Sequence, residues 1–179
     1  MRLYICSTKA AILYCYKSTF MSTKLPAKKI TPFLWFNDNA GEAIQFYTSL
    51  FKNSNIGTVT RYTAAGPGKD GSVMTATFEL EGQQFVALNG GPHFKFTEAI
   101  AFVINCDTQA EIDFYWAQLS EGGGKGQCGW LKDKFGLSWQ VVPDNIDELL
   151  QSPGPEKAKR SVQALMKMTK IDIAGLRDA

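Results

Sequence analysis

The chain contains one histidine, His93, among its 179 residues, and it has little excess charge. Its 19 basic and 17 acidic side chains give a formal net charge of +2, without the dense basic face that binds nucleic acid. An apolar run long enough to cross a bilayer is also missing. We therefore expect no nucleic-acid partner and no membrane partner, and a site built from several histidines is excluded.

Four cysteines, Cys6, Cys15, Cys106 and Cys128, show no CxxC or CxxH spacing. This pattern favours reduced thiols and a cytoplasmic location over a disulfide framework or a zinc site. Cys106 lies just before a predicted helix whose N-terminus could lower the pKa of its thiol. Without a second histidine to act as a base, we expect a structural role for it.

The chain carries an internal repeat with an offset of 69 positions. The copies cover residues 39–50 and 108–119, and each follows an apolar run with β character, at 30–36 and 100–104. Each copy therefore predicts a strand that leads into a helix. Asn39 and Thr108 are the predicted N-caps, and Glu42 and Glu111 complete capping boxes three positions later. We expect a site at the seam between the copies.

The remaining patterns predict further strands and a helical tail. Predicted strands cover 56–62, 73–80, 84–88, 127–131 and 137–142, with a tight hairpin at 81–82, and predicted helices cover 146–150 and 156–169. We divide the chain into an N-terminal extension at 1–28 that we expect to lie outside the fold, a paired unit at 29–144 with modules at 29–90 and 98–144, and a C-terminal helical tail at 145–179. Residues 1–20 precede a second methionine, Met21, and we expect them to be an upstream over-extension.

Several motifs resemble PhnB-like proteins of the vicinal oxygen chelate superfamily, which includes glyoxalases, bleomycin-resistance proteins and extradiol dioxygenases. They lie at 30–36, 43–51, 88–92, 127–143 and 168–174, so the resemblance covers residues 29 to about 176. It implies an α+β fold in which two βαβββ-type modules form a curled, cup-shaped mixed sheet with helices outside, plus C-terminal helices. It also implies a homodimer. Some relatives carry the label 3-demethylubiquinone methyltransferase, but no glycine-rich strand-to-helix loop indicates a methyl-donor site here.

The resemblance also implies a divalent metal held by His and Glu ligands on four strands. The matching positions are Thr31, Ala87 or Asn89, Ala99 and Gln140. Divalent transition metals bind imidazole, carboxylate or thiolate groups, and none of these positions supplies one. His93 lies in a glycine-proline loop, where a surface role is expected. We therefore predict no metal and no other cofactor.

Strand alternation predicts which side chains face the cup. Phe33 and Trp35 should face it, with Leu34 and Phe36 against the helices. The same parity directs Ser138 and Gln140 into the cup and Trp139 toward the helices. The complete predicted ligand-binding set is Phe33, Trp35, Asn89, Cys128, Trp130, Ser138 and Gln140. An aromatic cup with a few amides suits a planar or apolar small molecule. Alternatively, the tryptophans fill a closed core.

Two hypotheses about function follow. The first is a small-molecule-binding protein that holds its ligand in the aromatic cup without the usual metal. The second is an enzyme of the same superfamily, a lyase, a dioxygenase or the methyltransferase of the label, with an atypical metal or a thiol site. No catalytic residue is predicted. A cup built within one chain and a cup built across a dimer would use the same residues, so both arrangements remain open.

Overall fold

The computed structural model describes residues 28–151 and 154–179, which form eight strands and five helices. Residues 1–27, including the predicted over-extension, lie outside this part of the chain. The first module consists of β1 (Phe33–Phe36), α1 (Ala40–Leu50), β2 (Ser54–Arg61), β3 (Val73–Leu80) and β4 (Gln83–Asn89). The second consists of β5 (Ala101–Cys106), α2 (Gln109–Ser120), β6 (Gly124–Lys125), β7 (Trp130–Lys132) and β8 (Ser138–Pro143). Helices α3 (Ile146–Leu150), α4 (Pro155–Leu165) and α5 (Ile173–Arg177) form the tail.

Each module has its own four-stranded sheet, and the two sheets share one topology. The strand order is β1-β4-β3-β2 in the first sheet and β5-β8-β7-β6 in the second. In each sheet the first strand pairs in parallel with the last strand, and the other pairs are antiparallel. The predicted α+β fold with two βαβββ modules is confirmed. The sheets do not close into a single cup within one chain, and β1 and β5 each form a sheet edge.

Strand β6 (Gly124–Lys125) is absent from the predicted strands, because it begins in a glycine run at 122–124. It pairs Gly124 with Lys132 and Lys125 with Leu131. A two-residue strand that contains glycine has no alternating apolar pattern, so its partner strand alone defines it. The second module is therefore as complete in topology as the first.

The N-terminus of α1 is capped by a distant residue rather than by Asn39. The Asn39 side chain makes no capping hydrogen bond, so this prediction was wrong. Instead, the backbone N–H of Ala40 donates to Asn89 Oδ1 at 2.8 Å. Glu42 forms an ion pair with Lys134 at 3.1 Å and does not complete a box. The sequence pattern is local, whereas this cap crosses from the end of β4.

The second predicted cap is confirmed. The Thr108 hydroxyl accepts from the N–H of Glu111 at 3.2 Å, and the Glu111 carboxylate accepts from the N–H of Asp107 at 2.8 Å. The predicted hairpin is also present, because Glu81 and Gly82 both have positive φ, at 45° and 79°. This backbone geometry is typical of two-residue hairpin turns between twisted strands.

The helix-side faces of both sheets share one hydrophobic core. On β1, Leu34 and Phe36 are buried while Phe33 is 57% exposed, as the predicted alternation requires. Tyr47 of α1 lies 5.5 Å from Trp139 of β8 between ring centroids, which joins the two modules. Because the helix-side faces pack together, the opposite faces, which we call the outer faces, point away from this core.

A buried polar cluster lies inside the shared core. Asp133 is 2% exposed, and its Oδ2 accepts from Tyr47 Oη at 2.7 Å and Trp139 Nε1 at 2.8 Å. Its Oδ1 accepts from the backbone N–H groups of Phe135 and Leu137 at 2.9 and 3.0 Å. The carboxylate therefore connects the first helix to the β7–β8 turn.

The tail forms a second small cluster against the end of β8, in which Val142, Leu149, Ile171 and Leu176 are buried. Helix α4 ends four residues before the predicted position 169. Beyond the helix, the carbonyls of Met168 and Thr169 accept from the N–H groups of Cys128 and Gly129, both at 2.8 Å. No helix among the described residues has the length and apolar character needed to cross a membrane.

Candidate ligand-binding site

The outer face of the first sheet presents the predicted residues Phe33 and Trp35. Trp35 is half-buried, and its Nε1 donates to the carbonyl of Gly91 at 2.8 Å. Its ring packs edge-on against Phe94, with centroids 4.9 Å apart. A Cβ at position 90 would lie 2.3 Å from the Trp35 ring, so Gly90 is required for this close approach. The loop after β4 therefore sets the position of the tryptophan.

Asn89 lies at the end of β4, but its side chain is already used by the fold. Its Oδ1 caps α1, and its Nδ2 donates to the carbonyl of Val73 at 3.0 Å. Its backbone carbonyl accepts from Tyr62 Oη at 2.6 Å. Asn89 therefore has a clear structural role, and its part in ligand binding stays a prediction.

The outer face of the second sheet brings together Trp130, Gln140 and Cys128. Trp130 is the cross-strand partner of Gln140. Gln140 Nε2 donates to the Cys128 carbonyl at 3.0 Å, which fixes the amide against the turn before β7. Cys128 has a φ of 55°, an uncommon conformation for a residue with a Cβ. The geometry of this turn could not be read from the strand pattern.

A cavity of about 210 Å³ opens on the same outer face of the second sheet. We call this second sheet sheet B and the cavity the sheet-B cavity. Its lining residues are Glu98, Gly124, Lys125, Gly126, Trp130, Leu131, Lys132 and Ser138. Ser138 is 1% exposed, and its Oγ has no hydrogen-bond partner among the described residues. An unsatisfied buried hydroxyl costs about 1–3 kcal/mol, so this atom needs an explanation.

Sequence reasoning missed the charged residues of this cavity. Lys132 Nζ forms an ion pair with Glu98, which lies in the segment before β5. A second cavity, of about 280 Å³, is also lined by Lys132, together with the aromatic residues Trp35, Phe36, Phe94, Phe96 and Phe135. Lys132 therefore lies beside both groups of predicted aromatic residues. Strand alternation places Lys132 on the same face of β7 as Trp130, and this is the sequence signal that could have identified it.

The seam inside the chain also contains a cavity, of about 570 Å³. Aromatic residues line it, including Phe85, Phe102 and Tyr115, and the carboxylates of Glu81 and Glu111 lie among them. None of the seven predicted ligand-binding residues lines this cavity. The predicted residues and the internal seam are thus separate places in the fold.

The residues at the implied metal positions do not fit a divalent ion. Ala99 has no donor, the Asn89 amide is fully engaged, and the Gln140 amide bonds the Cys128 carbonyl. Thr31 makes a 3.5 Å contact with the carbonyl of Lys28 and supplies only a hydroxyl. Residues 28–151 and 154–179 hold no group of three or more His, Cys, Asp or Glu side chains placed to share a metal. The donor chemistry required for such an ion is therefore missing at these positions.

The two described thiols differ in environment. Cys106 is fully buried, and burial raises the pKa of its thiol to about 12, with Glu111 and Asp107 adding to the effect. The helix N-terminus therefore does not activate it. Cys128 is half-buried, and its Sγ contacts the Leu165 carbonyl at 3.6 Å and Met166 Sδ at 3.8 Å.

Comparisons with known proteins agree with this fold. A family model described as 3-demethylubiquinone-9 3-methyltransferase matches residues 28–142. A PhnB protein from Bacillus cereus with the same description is 41% identical, with a TM-score of 0.61 over 65% of this chain and 99% of that chain. A protein from Pseudomonas aeruginosa is 21% identical and shares the fold, with a TM-score of 0.55 over 66% of this chain and 98% of that chain. No curated protein matches the chain.

Proposed function

Because the chain belongs to the PhnB-like family of the vicinal oxygen chelate superfamily, we propose that it binds a small organic molecule in a cup formed by two copies of the chain. The cup combines the outer face of the first sheet of one copy with the outer face of the second sheet of its partner. It has no resident divalent metal, in keeping with the donor chemistry of the implied ligand positions.

The observation that carries the proposal is the pattern of exposure on the edge strands. Phe33 on β1 is 57% exposed and Val103 on β5 is 53% exposed. Both strands form sheet edges. Exposed apolar edge strands favour pairing with another chain, and large exposed apolar patches mark interaction sites. A second copy would cover these residues and bring two half-sites together.

The half-sites are complementary in content. The first sheet supplies the aromatic rings of Phe33 and Trp35, and the second sheet supplies Trp130 and the amide of Gln140. Within one chain Trp35 and Trp130 line different cavities, and Lys132 lines both of them. A dimer is the arrangement that gives one cavity both walls, which is what a site for a planar ligand needs.

The test uses the full chain, with N-phenyl-1-naphthylamine as an uncharged aromatic probe. We expect light scattering after size exclusion to give the mass of a dimer, and probe fluorescence to rise to saturation. Phe33→Glu should give a monomer. Its probe binding should be at least tenfold weaker, a loss of about 1.4 kcal/mol. Phe114→Glu is the matched control, because Phe114 is 46% exposed on α2, away from the outer faces.

Circular dichroism would verify that both variants fold. A wild-type monomer, or a Phe33→Glu variant that behaves like Phe114→Glu, would overturn the dimeric cup. A dimer that gives no saturable probe signal would overturn small-molecule binding at this face.

A further inference from the structure

The sheet-B cavity contains a buried hydroxyl that the fold leaves without a partner. Ser138 lies between Ala101 and Lys132 in the strand ladder, and Ala101 offers no polar side-chain atom. The Ser138 Oγ has no hydrogen-bond partner among the described residues although Ser138 lines the cavity. Buried hydroxyls are normally satisfied by a protein group, a water molecule or a ligand. A ligand atom that accepts a hydrogen bond would satisfy this one.

Lys132 stands directly beside this hydroxyl and holds a partner that can be exchanged. Its ion pair with Glu98 is exposed, with 41% of the lysine side chain and 65% of the glutamate side chain accessible. Exposed ion pairs contribute little to stability, so an incoming anion can replace Glu98 at small cost. The hydrogen bond from Lys132 lowers the pKa of the Glu98 carboxyl, so the carboxylate is charged at neutral pH and competes with such an anion.

The remaining lining indicates the sign of the ligand charge and its shape. The lining contains two lysines, Lys125 and Lys132, and one carboxylate, Glu98, which leaves one excess positive charge around the cavity. Trp130 forms an aromatic wall beside them. An ammonium paired with a hydroxyl donor binds oxyanions well, and an aromatic wall favours a flat ring attached to the anion.

We infer that the ligand of this site is an aromatic molecule carrying an oxyanion, such as a carboxylate or a sulfonate, held by Ser138 Oγ and Lys132 Nζ after Glu98 is displaced. The inference rests on the proposed function, because it identifies the class of ligand for the same cup. It assigns Lys132 as a ligand-binding residue and Glu98 as a competitor that sets the affinity.

Two probes that differ only in a sulfonate separate this inference from the proposed function. They are 8-anilinonaphthalene-1-sulfonate and its uncharged analogue N-phenyl-1-naphthylamine, titrated into the full-length protein. We expect Lys132→Met and Ser138→Ala to weaken sulfonate binding by roughly tenfold and threefold, because hydrogen bonds to charged groups are the stronger class. Glu98→Gln should strengthen it by about threefold, since it removes the competing carboxylate.

The control is Lys134→Met, which removes the same charge two residues away. Lys134 pairs with Glu42 and does not line the cavity, so sulfonate binding should change by less than about twofold. The uncharged probe should bind all four variants alike. If it binds but the sulfonate shows no dependence on Lys132 and Glu98, the inference is wrong while the proposed function stands. If neither probe binds, the proposed function itself fails.

Discussion

Removing the Tyr47 hydroxyl should destabilise the protein because this group donates to the buried Asp133 carboxylate. The donor–acceptor distance is 2.7 Å, and Tyr47 is completely buried. A hydrogen bond to a charged group contributes about 1.5–3 kcal/mol, and Asp133 keeps three other donors in Tyr47→Phe. We therefore expect the free energy of unfolding to fall by about 2 kcal/mol at pH 7.

The effect should depend on pH in a definite direction. Burial raises the pKa of Tyr47 well above its usual value, and the neighbouring Asp133 carboxylate adds to this. The folded state therefore keeps the phenol protonated above pH 10, while the unfolded chain ionises near its ordinary pKa of about 10. Wild-type stability consequently falls as the pH rises above 10, and Tyr47→Phe lacks this loss. The difference between the two proteins should narrow in that range.

Asp133 should contribute a second pH effect, of similar sign. Burial raises its pKa, although hydrogen bonds from Trp139 and Tyr47 oppose the shift. The folded state then holds this proton to a higher pH than the unfolded chain, whose carboxyl titrates near pH 4 at about its ordinary pKa. Stability from this group is therefore full below about pH 4 and is lost as the pH rises through the folded pKa.

Urea unfolding followed by far-ultraviolet circular dichroism measures these changes. Tyr115→Phe is the matched control, because Tyr115 is half-buried and its hydroxyl makes no hydrogen bond among the described residues. We expect this control to change stability by less than about 0.5 kcal/mol. The reasoning is refuted if Tyr47→Phe is as stable as Tyr115→Phe at pH 7.

Three further predictions concern the helix cap, the thiols and metal content. Asn89→Ala should lower the free energy of unfolding by about 1–2 kcal/mol, whereas Asn39→Ala should change it by less than about 0.5 kcal/mol, and urea unfolding distinguishes them. Brief alkylation at pH 8 with peptide mapping should modify Cys128 and leave Cys106 intact until urea is added, because the Cys106 thiol is buried with a pKa of about 12. Equal labelling would contradict this assignment. Mass spectrometry after incubation with nickel, zinc, iron and manganese should find less than about a tenth of an equivalent of each metal, given the missing donors. Stoichiometric metal would show that the ligand positions are misassigned.

The apolar periodicity of the sequence was sufficient to predict the modules, because a strand such as β1 buries one face and leaves the other partly exposed. Alternation on β1 correctly separated Leu34 and Phe36 from Phe33 and Trp35. The same reasoning placed Trp139 against the helices, where it is 3% exposed. These features depend on neighbouring residues in the chain, which a single sequence displays directly.

Other features depend on residues that are far apart in the sequence. The cap of α1 comes from Asn89, 49 positions after Ala40, and the cavity charge of Lys132 is balanced by Glu98 in an irregular segment. The close approach of Trp35 to Gly90 is equally non-local. No period or short motif encodes such contacts, so they required the structure.

The protein has two candidate places for an aromatic ligand, the internal seam and the sheet-B cavity, and the charge of the ligand distinguishes them. The internal seam is lined by the carboxylates of Glu81, Asp107 and Glu111, whereas the sheet-B cavity has an excess of lysine. An aromatic sulfonate should therefore avoid the internal seam, since carboxylates repel it. Glu111→Gln keeps a carbonyl oxygen that can still accept from the N–H of Asp107, so the fold is retained while one negative charge is removed. The affinity of the Glu111→Gln variant for 8-anilinonaphthalene-1-sulfonate should equal that of the wild type if the probe binds on the outer face. A clear increase in affinity would place the probe in the internal seam instead.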